Sequence, residues 1–84
     1  MITKEKAQTL ANPYHVKVVE VETLHDGDRF DSIADYIRMK ICDENREQNI
    51  YVYLGTDYEI VSDKAFYIES KIKNALYNEC FYSA

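Results

Sequence analysis

The sequence predicts a small α+β domain, built as a two-layer sandwich in which a three-stranded sheet carries two main helices. Three observations predict this class: a valine-rich segment near the N-terminus, an apolar repeat of helical spacing in the middle, and a pair of strand-like runs followed by a second helical repeat. A chain of 84 residues is expected to form one domain, so residues 1–84 are treated as a single unit. The predicted element order is α-β-α-β-β-α.

The N-terminal part predicts a short helix and then a strand. Residues 3–11 have the apolar spacing of a short helix. Thr3 can cap the start of this helix, and an Asn-Pro pair ends it. Residues 14–23 contain four valines, which favour a strand. The alternation breaks at Val18-Val19, so either both faces of this strand are covered or a bulge shifts its register.

The middle of the chain predicts the longest helix, over residues 29–46. Its apolar positions follow helical spacing: Phe30, Ile33, Ala34, Ile37 and Ile41. Residues 14–54 would then be a β-α-β unit, with a right-handed crossover if its two strands are parallel.

The C-terminal half predicts a hairpin and a last helix. Residues 50–54 and 58–61 are rich in strand-forming residues and flank a three-residue loop that contains Gly55. Ser62 can cap the helix that follows, and its inner face is formed by Ala65, Ile68, Ile72, Ala75 and Leu76.

The charge of the chain is concentrated in one segment. Residues 20–47 contain nine acidic and four basic residues and so carry the whole net charge of −5, while the rest of the chain has six of each. If 29–46 is a helix, Asp28, Asp31, Asp35 and Met39 lie on its outward face. An outward face that combines carboxylates with a methionine differs from an ordinary solvent-exposed surface, because methionine is enriched at interfaces.

Three interpretations of this face compete. It is a solvated surface, or a face that docks on a basic surface of another protein, or a mimic of nucleic acid, since carboxylates one helical turn apart repeat every ~5–6 Å. In the docking interpretation the contacts are made by Asp28, Asp31, Asp35, Met39 and Asp43. Direct binding of nucleic acid is not expected, because the net charge repels phosphates.

The tyrosines give a second candidate surface. There are eight of them, and Tyr51 and Tyr53 alternate with apolar residues, so both are expected on the sheet face that points away from the helices. They either cover a half-buried face or bind a partner, because tyrosine is favoured at interface hot spots. An uncovered sheet face would also allow a homodimer, so both residues are added to the predicted contact set.

The sequence lacks the motifs of common active sites. His25, Asp26 and Asp28 form the one segment that resembles a metal site, and the alternative is a turn that leads into a helix cap. No glycine-rich phosphate loop and no nucleophile motif is found, so neither an enzyme nor a cofactor nor a metal is expected. Two cysteines, a polar N-terminus without a signal-peptide pattern and the absence of a long apolar run favour a cytoplasmic protein without contact to a membrane.

These observations predict a non-catalytic protein-binding module. Its most concrete form is a small acidic inhibitor or modulator that docks on a basic surface, for example that of a nucleic-acid-handling enzyme. The alternatives are a structural protein that self-associates through its tyrosine-rich sheet face, and a small metal- or ligand-binding domain. A composition rich in Ile, Tyr, Asn and Lys is typical of A/T-rich genes and is compatible with a phage or mobile-element origin.

Overall fold

The chain folds as an antiparallel three-stranded meander with one helix before it and one after it. The computed structural model describes residues 2–55 and 65–81, except for the side chains of residues 65, 80 and 81. The elements are α1 (Lys4–Ala11), a 3₁₀ turn (Asn12–Tyr14), β1 (Lys17–Asp26), β2 (Ala34–Cys42), β3 (Glu47–Gly55) and α2 (Ala65–Phe81). The order of the strands in the sheet is β1-β2-β3, so β2 lies in the centre.

Both helices pack on the same face of the sheet. Helix α1 lies against β1, α2 lies against β3, and the two helices contact each other. The apolar core lies between the layers and includes Ile37, Met39, Ile50, Val52 and Ile72. The predicted α+β class, with a three-stranded sheet and two helices, is therefore confirmed.

The predicted middle helix over 29–46 is wrong, because residues 34–42 form the central strand β2. Ile37 and Ile41 are four residues apart, so they share a face in a helix and in a strand alike, and they do not distinguish the two. Residues 36–41 also alternate between apolar and polar side chains, which is the strand period, and burial of Met39 beside Ile37 and Ile41 completes the apolar face.

The predicted parallel β-α-β unit is consequently absent, and the element order among the described residues is α-β-β-β-α. β2 pairs with both neighbours in antiparallel register. Short connections over residues 27–33 and 43–46 suffice for such pairs, whereas a parallel pair needs a crossover of a dozen residues or more.

A bulge in β1 explains its imperfect valine pattern. Val18 pairs with Ile41 and Glu20 pairs with Lys40, so Val19 is an additional residue in β1. The bulge shifts the register by one, and Val18 and Val21 therefore both face the helices. Of the two explanations that the sequence left open, the bulge is confirmed.

The first helix is fixed at its start and is tied to the edge of β1. The Thr3 side chain accepts a hydrogen bond from the Lys6 backbone N–H, so the predicted cap is confirmed. The Gln8 side-chain amide donates to the Val16 carbonyl at 3.0 Å, and its oxygen accepts from the Val18 N–H at 2.7 Å. One side chain therefore satisfies two backbone groups of an edge strand, which are costly to leave unpaired when they are partly buried.

The last helix buries the predicted stripe of Ile68, Ile72 and Leu76. The Tyr67 hydroxyl donates to the Leu54 carbonyl at 3.2 Å, which connects α2 to the end of β3. The predicted strand 58–61 and the Ser62 cap lie outside the described residues. None of the helices in the described ranges has the length and apolar character that a membrane span requires.

Replacement of Met39 by alanine tests the central strand. Met39 is fully buried, so M39A should lower the free energy of unfolding by about 2–5 kcal/mol, measured by urea denaturation. M39L, which keeps the volume, should cost less than about 1.5 kcal/mol. If M39A lowers the free energy of unfolding by less than about 0.5 kcal/mol, as expected for an exposed residue, this result would contradict the burial of Met39.

Replacement of Gln8 tests the contact between α1 and the edge of β1. Q8A leaves the Val16 carbonyl and the Val18 N–H without their partner, and it should cost about 1–3 kcal/mol of unfolding free energy. Q8E keeps the acceptor for the Val18 N–H but places a carboxylate oxygen against the Val16 carbonyl, so it should also lower the free energy of unfolding. T9A, at an exposed position of the same helix, should stay within about 0.5 kcal/mol of the wild type.

Candidate protein-binding surface

The candidate surface is the sheet face opposite the helices, which no described helix covers. Directly paired residues of antiparallel strands point to the same face, so the register identifies the side chains that form it. We call this surface the open face. It carries Glu20, Glu22, Leu24 and Asp26 from β1, Tyr36, Arg38 and Lys40 from β2, and Asn49, Tyr51 and Tyr53 from β3.

One end of the open face holds an aromatic cluster, which consists of Phe30, Tyr36, Tyr51 and Tyr53. Phe30 comes from the loop 27–33, and its ring lies edge-on to Tyr36 at 5.2 Å and to Tyr53 at 4.9 Å between centroids. The Tyr36 and Tyr51 rings are 6.2 Å apart. Edge-to-face contacts at these distances stabilise a cluster beyond the apolar area they bury, and they hold the loop against the sheet.

Tyr36 is the buried centre of this cluster and has a strong polar partner. Its hydroxyl donates to the Asp26 carboxylate at 2.8 Å. This hydrogen bond, followed by burial and by the charges of Asp26 and Asp28, raises the pKa of Tyr36 to about 12.

An ion network, which we call the Arg38 network, covers the centre of the open face. The Arg38 guanidinium donates to Glu22 at 2.9 Å, to Asn49 at 3.1 Å and also to Glu20. Its side chain is 17% exposed, so it spans all three strands close to the sheet. The hydrogen bond and charge of Arg38 lower the pKa of Glu20, and the two carboxylates raise the pKa of Arg38. A second ion pair, Lys40 with Glu47 at 3.7 Å, extends the network.

The loop 27–33 borders the aromatic cluster and presents carboxylates to solvent. The Asp28 N–H donates to the Asp26 side chain, which forms the turn at the end of β1. Asp28 and Asp31 are exposed, and Ile33 is 60% exposed. On the sheet beside them Tyr53 is 42% exposed. Aromatic and aliphatic surface is therefore accessible next to two carboxylates.

Two of the predicted contact residues, Met39 and Asp35, are buried on the helix side of the sheet. Met39 faces the helices and is fully buried, because the strand turns it away from solvent. Asp35 is only 8% exposed, and its carboxylate lies 2.8 Å from His25 Nδ1. The prediction that both are on an outward surface is therefore wrong.

Asp43 is exposed but has a structural role at the opposite end of β2. Its carboxylate accepts from the N–H groups of Asn45 at 2.8 Å and Arg46 at 3.1 Å, which forms the turn between β2 and β3 and lowers the pKa of Asp43. The structure thus separates Asp43 from the loop 27–33, in which Arg29 and Phe30 contact Tyr51 and Tyr53, and Asp28 and Asp31 are exposed.

The side chains of the segment that resembles a metal site do not point toward a common position. His25 bonds Asp35 on the helix side of the sheet, whereas Asp26 bonds Tyr36 on the open face, because successive strand residues point to opposite faces. Within the described ranges no three potential ligands cluster as a metal site requires. The Asp26 side chain forms the turn of the alternative interpretation, but the helix cap of that alternative is absent, because residues 34–42 form a strand.

Two residues of the surface were missed from the sequence. The helical spacing places Phe30 on the inner face of a helix, and the sequence shows Arg29 only as a positive charge. In the structure the Arg29 guanidinium carbon lies 3.8 Å above the centroid of the Tyr51 ring. The composition of 26–32, with three aspartates, a glycine and a serine, is the signal that indicates a loop here.

Removal of the Tyr36 hydroxyl should change how stability depends on pH. The folded-state pKa of about 12 lies above the usual value near 10, so the protonated phenol stabilises the fold fully below pH ~10 and loses this effect as the pH rises through ~12. The difference in unfolding free energy between the wild type and Y36F, measured in urea at increasing pH, should therefore shrink over this range.

Y53F is the matched control for this experiment, since Tyr53 is exposed and has no hydrogen bond through its hydroxyl within the described residues. Its difference from the wild type should stay constant with pH. A constant difference for Y36F as well would contradict the bond to Asp26.

Comparison with known proteins adds no relative from which a function could be transferred. Neither a protein-family model, nor a curated protein, nor a solved structure matches the chain. What the chain binds must therefore be inferred from its own contacts and charges.

Proposed function

We propose that this chain is a non-catalytic protein-binding module that docks its open face and the loop 27–33 on a basic surface of a partner protein. One observation carries the proposal: the loop that contributes Phe30 to the aromatic cluster, on the face that no described helix covers, also carries the exposed carboxylates of Asp28 and Asp31. In this role the module acts as a small acidic inhibitor or modulator of its partner.

The arrangement has the anatomy of an interface. Tyrosine and arginine are enriched where binding energy is concentrated, and a polar rim that excludes water surrounds such residues. Here Tyr51, Tyr53 and Phe30 form the apolar centre, while Asp28 and Asp31 form part of the rim. The rings are held by a rigid strand and by each other, so little side-chain freedom is lost on binding.

Charge supports a basic partner. Residues 20–47, which hold the net charge of −5, form most of the meander, and all of their carboxylates except that of Asp35 lie on the open face or in the loops at its two ends. Arg38 is already neutralised by two glutamates, whereas the described residues provide Asp28 and Asp31 with no ion pair. These two carboxylates are therefore free to pair with cations of a partner.

The class of partner is narrowed by the same charges. A basic protein surface is complementary to these carboxylates, and the nucleic-acid-binding surface of an enzyme is one example of such a surface. Phosphate backbones do not fit, because they would face unpaired carboxylates. Mimicry of nucleic acid by a regular row of carboxylates loses its basis, since the helix that would space them is not formed and Asp35 is buried.

Charge reversal in the loop 27–33 tests the docking surface. A short peptide of alternating arginine and lysine serves as the probe, and binding is measured by calorimetry at increasing salt. D28K/D31K should weaken binding of the peptide by about ten-fold or more, since it replaces two attractive contacts by two repulsive ones. Wild-type affinity should fall as salt rises, because the Debye length shortens.

E5K/E44K is the matched control. It makes the same change in net charge at two exposed positions outside this surface, one in α1 and one in the β2–β3 turn. It should lower affinity only through the general field of the protein, clearly less than D28K/D31K. Equal losses for the two variants would show that no local surface exists and would overturn the proposal.

Self-association through the tyrosine face is the competing outcome, and the exposure of Tyr53 is the observation that favours it. Sedimentation at micromolar concentration separates the two cases. A dimer that dissociates in Y53K would assign the open face to a second copy of the chain instead of a basic partner.

A further inference from the structure

We propose that the Tyr51 ring is a binding site for an arginine guanidinium, that Arg29 occupies this site in the free protein, and that an arginine of the partner replaces Arg29 on binding. This inference rests on the proposed function and names the side chain that the surface recognises. The Tyr51–Arg29 contact is the observation behind it.

Tyr51 provides a rigid platform. It lies in the middle of β3 and pairs with Arg38 of the central strand. The Tyr36 ring stands beside it, and Tyr36 is itself fixed by Asp26. A ring held in this way offers one face to a cation without rearrangement, and the face of an aromatic ring attracts cations through its quadrupole.

Arg29 is a weakly held occupant of this site. Within the described residues, the Arg29 side chain lies on the Tyr51 ring and forms neither a hydrogen bond nor an ion pair. The residue is exposed and belongs to a loop that Phe30 anchors to the sheet. Arg29 can therefore leave Tyr51 while Phe30 keeps the loop in place.

A partner's arginine would gain contacts that Arg29 does not make. Asp28 and Asp31 lie in the same loop as Arg29, and their carboxylates have no cationic partner in the described residues. An arginine that arrives from outside approaches with its own backbone geometry, so it can stack on Tyr51 and pair with a carboxylate. The planar guanidinium does both, whereas an ammonium group neither stacks nor forms a bidentate pair.

The proposal predicts competition between Arg29 and the partner. When a site is filled internally, its apparent affinity for an external ligand is the intrinsic affinity multiplied by the fraction of time for which the site is empty. R29K keeps the charge but weakens stacking, so it should raise the affinity for an oligoarginine peptide by about two- to five-fold, the size of an accessible cation–π contact. The matched control R46K, an exposed arginine in the β2–β3 turn, should leave the affinity unchanged.

The ring itself is tested by comparing oligoarginine with oligolysine of the same length. The wild type and R29K should prefer oligoarginine, and Y51F should retain this preference because it keeps a ring. Y51L should keep only the smaller part of the preference that comes from bidentate pairing with carboxylates. Far-UV circular dichroism checks that Y51L is folded, and NMR signals of the Tyr51 ring should shift in R29K and on addition of oligoarginine.

The outcomes separate this inference from the proposed function. If R29K does not change the affinity, or Y51L prefers oligoarginine as strongly as the wild type does, the guanidinium site is overturned. When D28K/D31K still weakens binding of both peptides, the docking surface nevertheless stands. If neither peptide binds the wild type or R29K, both proposals fail.

Discussion

The central strand β2 is the constraint on which the rest of the structure depends, because its two faces have opposite chemistry and each organises one side of the sheet. Ile37, Met39 and Ile41 form the floor of the core beneath the helices. The alternate residues, Tyr36 and Arg38 among them, organise the open face by reaching partners on both neighbouring strands. A shift of one residue would exchange the two sets, so the register is strongly determined.

The open face stays ordered without a helix because its polar groups satisfy one another. Arg38 joins the three strands through two glutamates and an asparagine, and Tyr36 pairs with Asp26. Among the described residues no buried side-chain nitrogen or oxygen lacks a partner. Exposed ion pairs contribute little individually, but a network around a half-buried arginine also packs its long side chain on the sheet. The carboxylates of the loop 27–33 take no part in this network.

The predicted orientations of the candidate contact residues were partly wrong, and the errors share one physical cause. In a helix over 29–46, Asp28, Asp31, Asp35 and Met39 would share one face. In the strand that forms instead, Asp35 and Met39 point to the helix side of the sheet. Tyr51 and Tyr53 face away from the helices as predicted, because their alternation was interpreted with the correct period. Phe30 and Arg29 could be placed only after the loop that carries them was known.

The sequence by itself determined the class of the fold, the cap at Thr3, the buried stripe of α2 and the segment that carries the charge. Each of these depends on local spacing or composition, which the chain displays directly. The tertiary structure decided that residues 34–42 form a strand, that the sheet is antiparallel and that Arg29 lies on Tyr51. Ile37 and Ile41 fit both periods, so only their packing between two strands and under two helices could distinguish them.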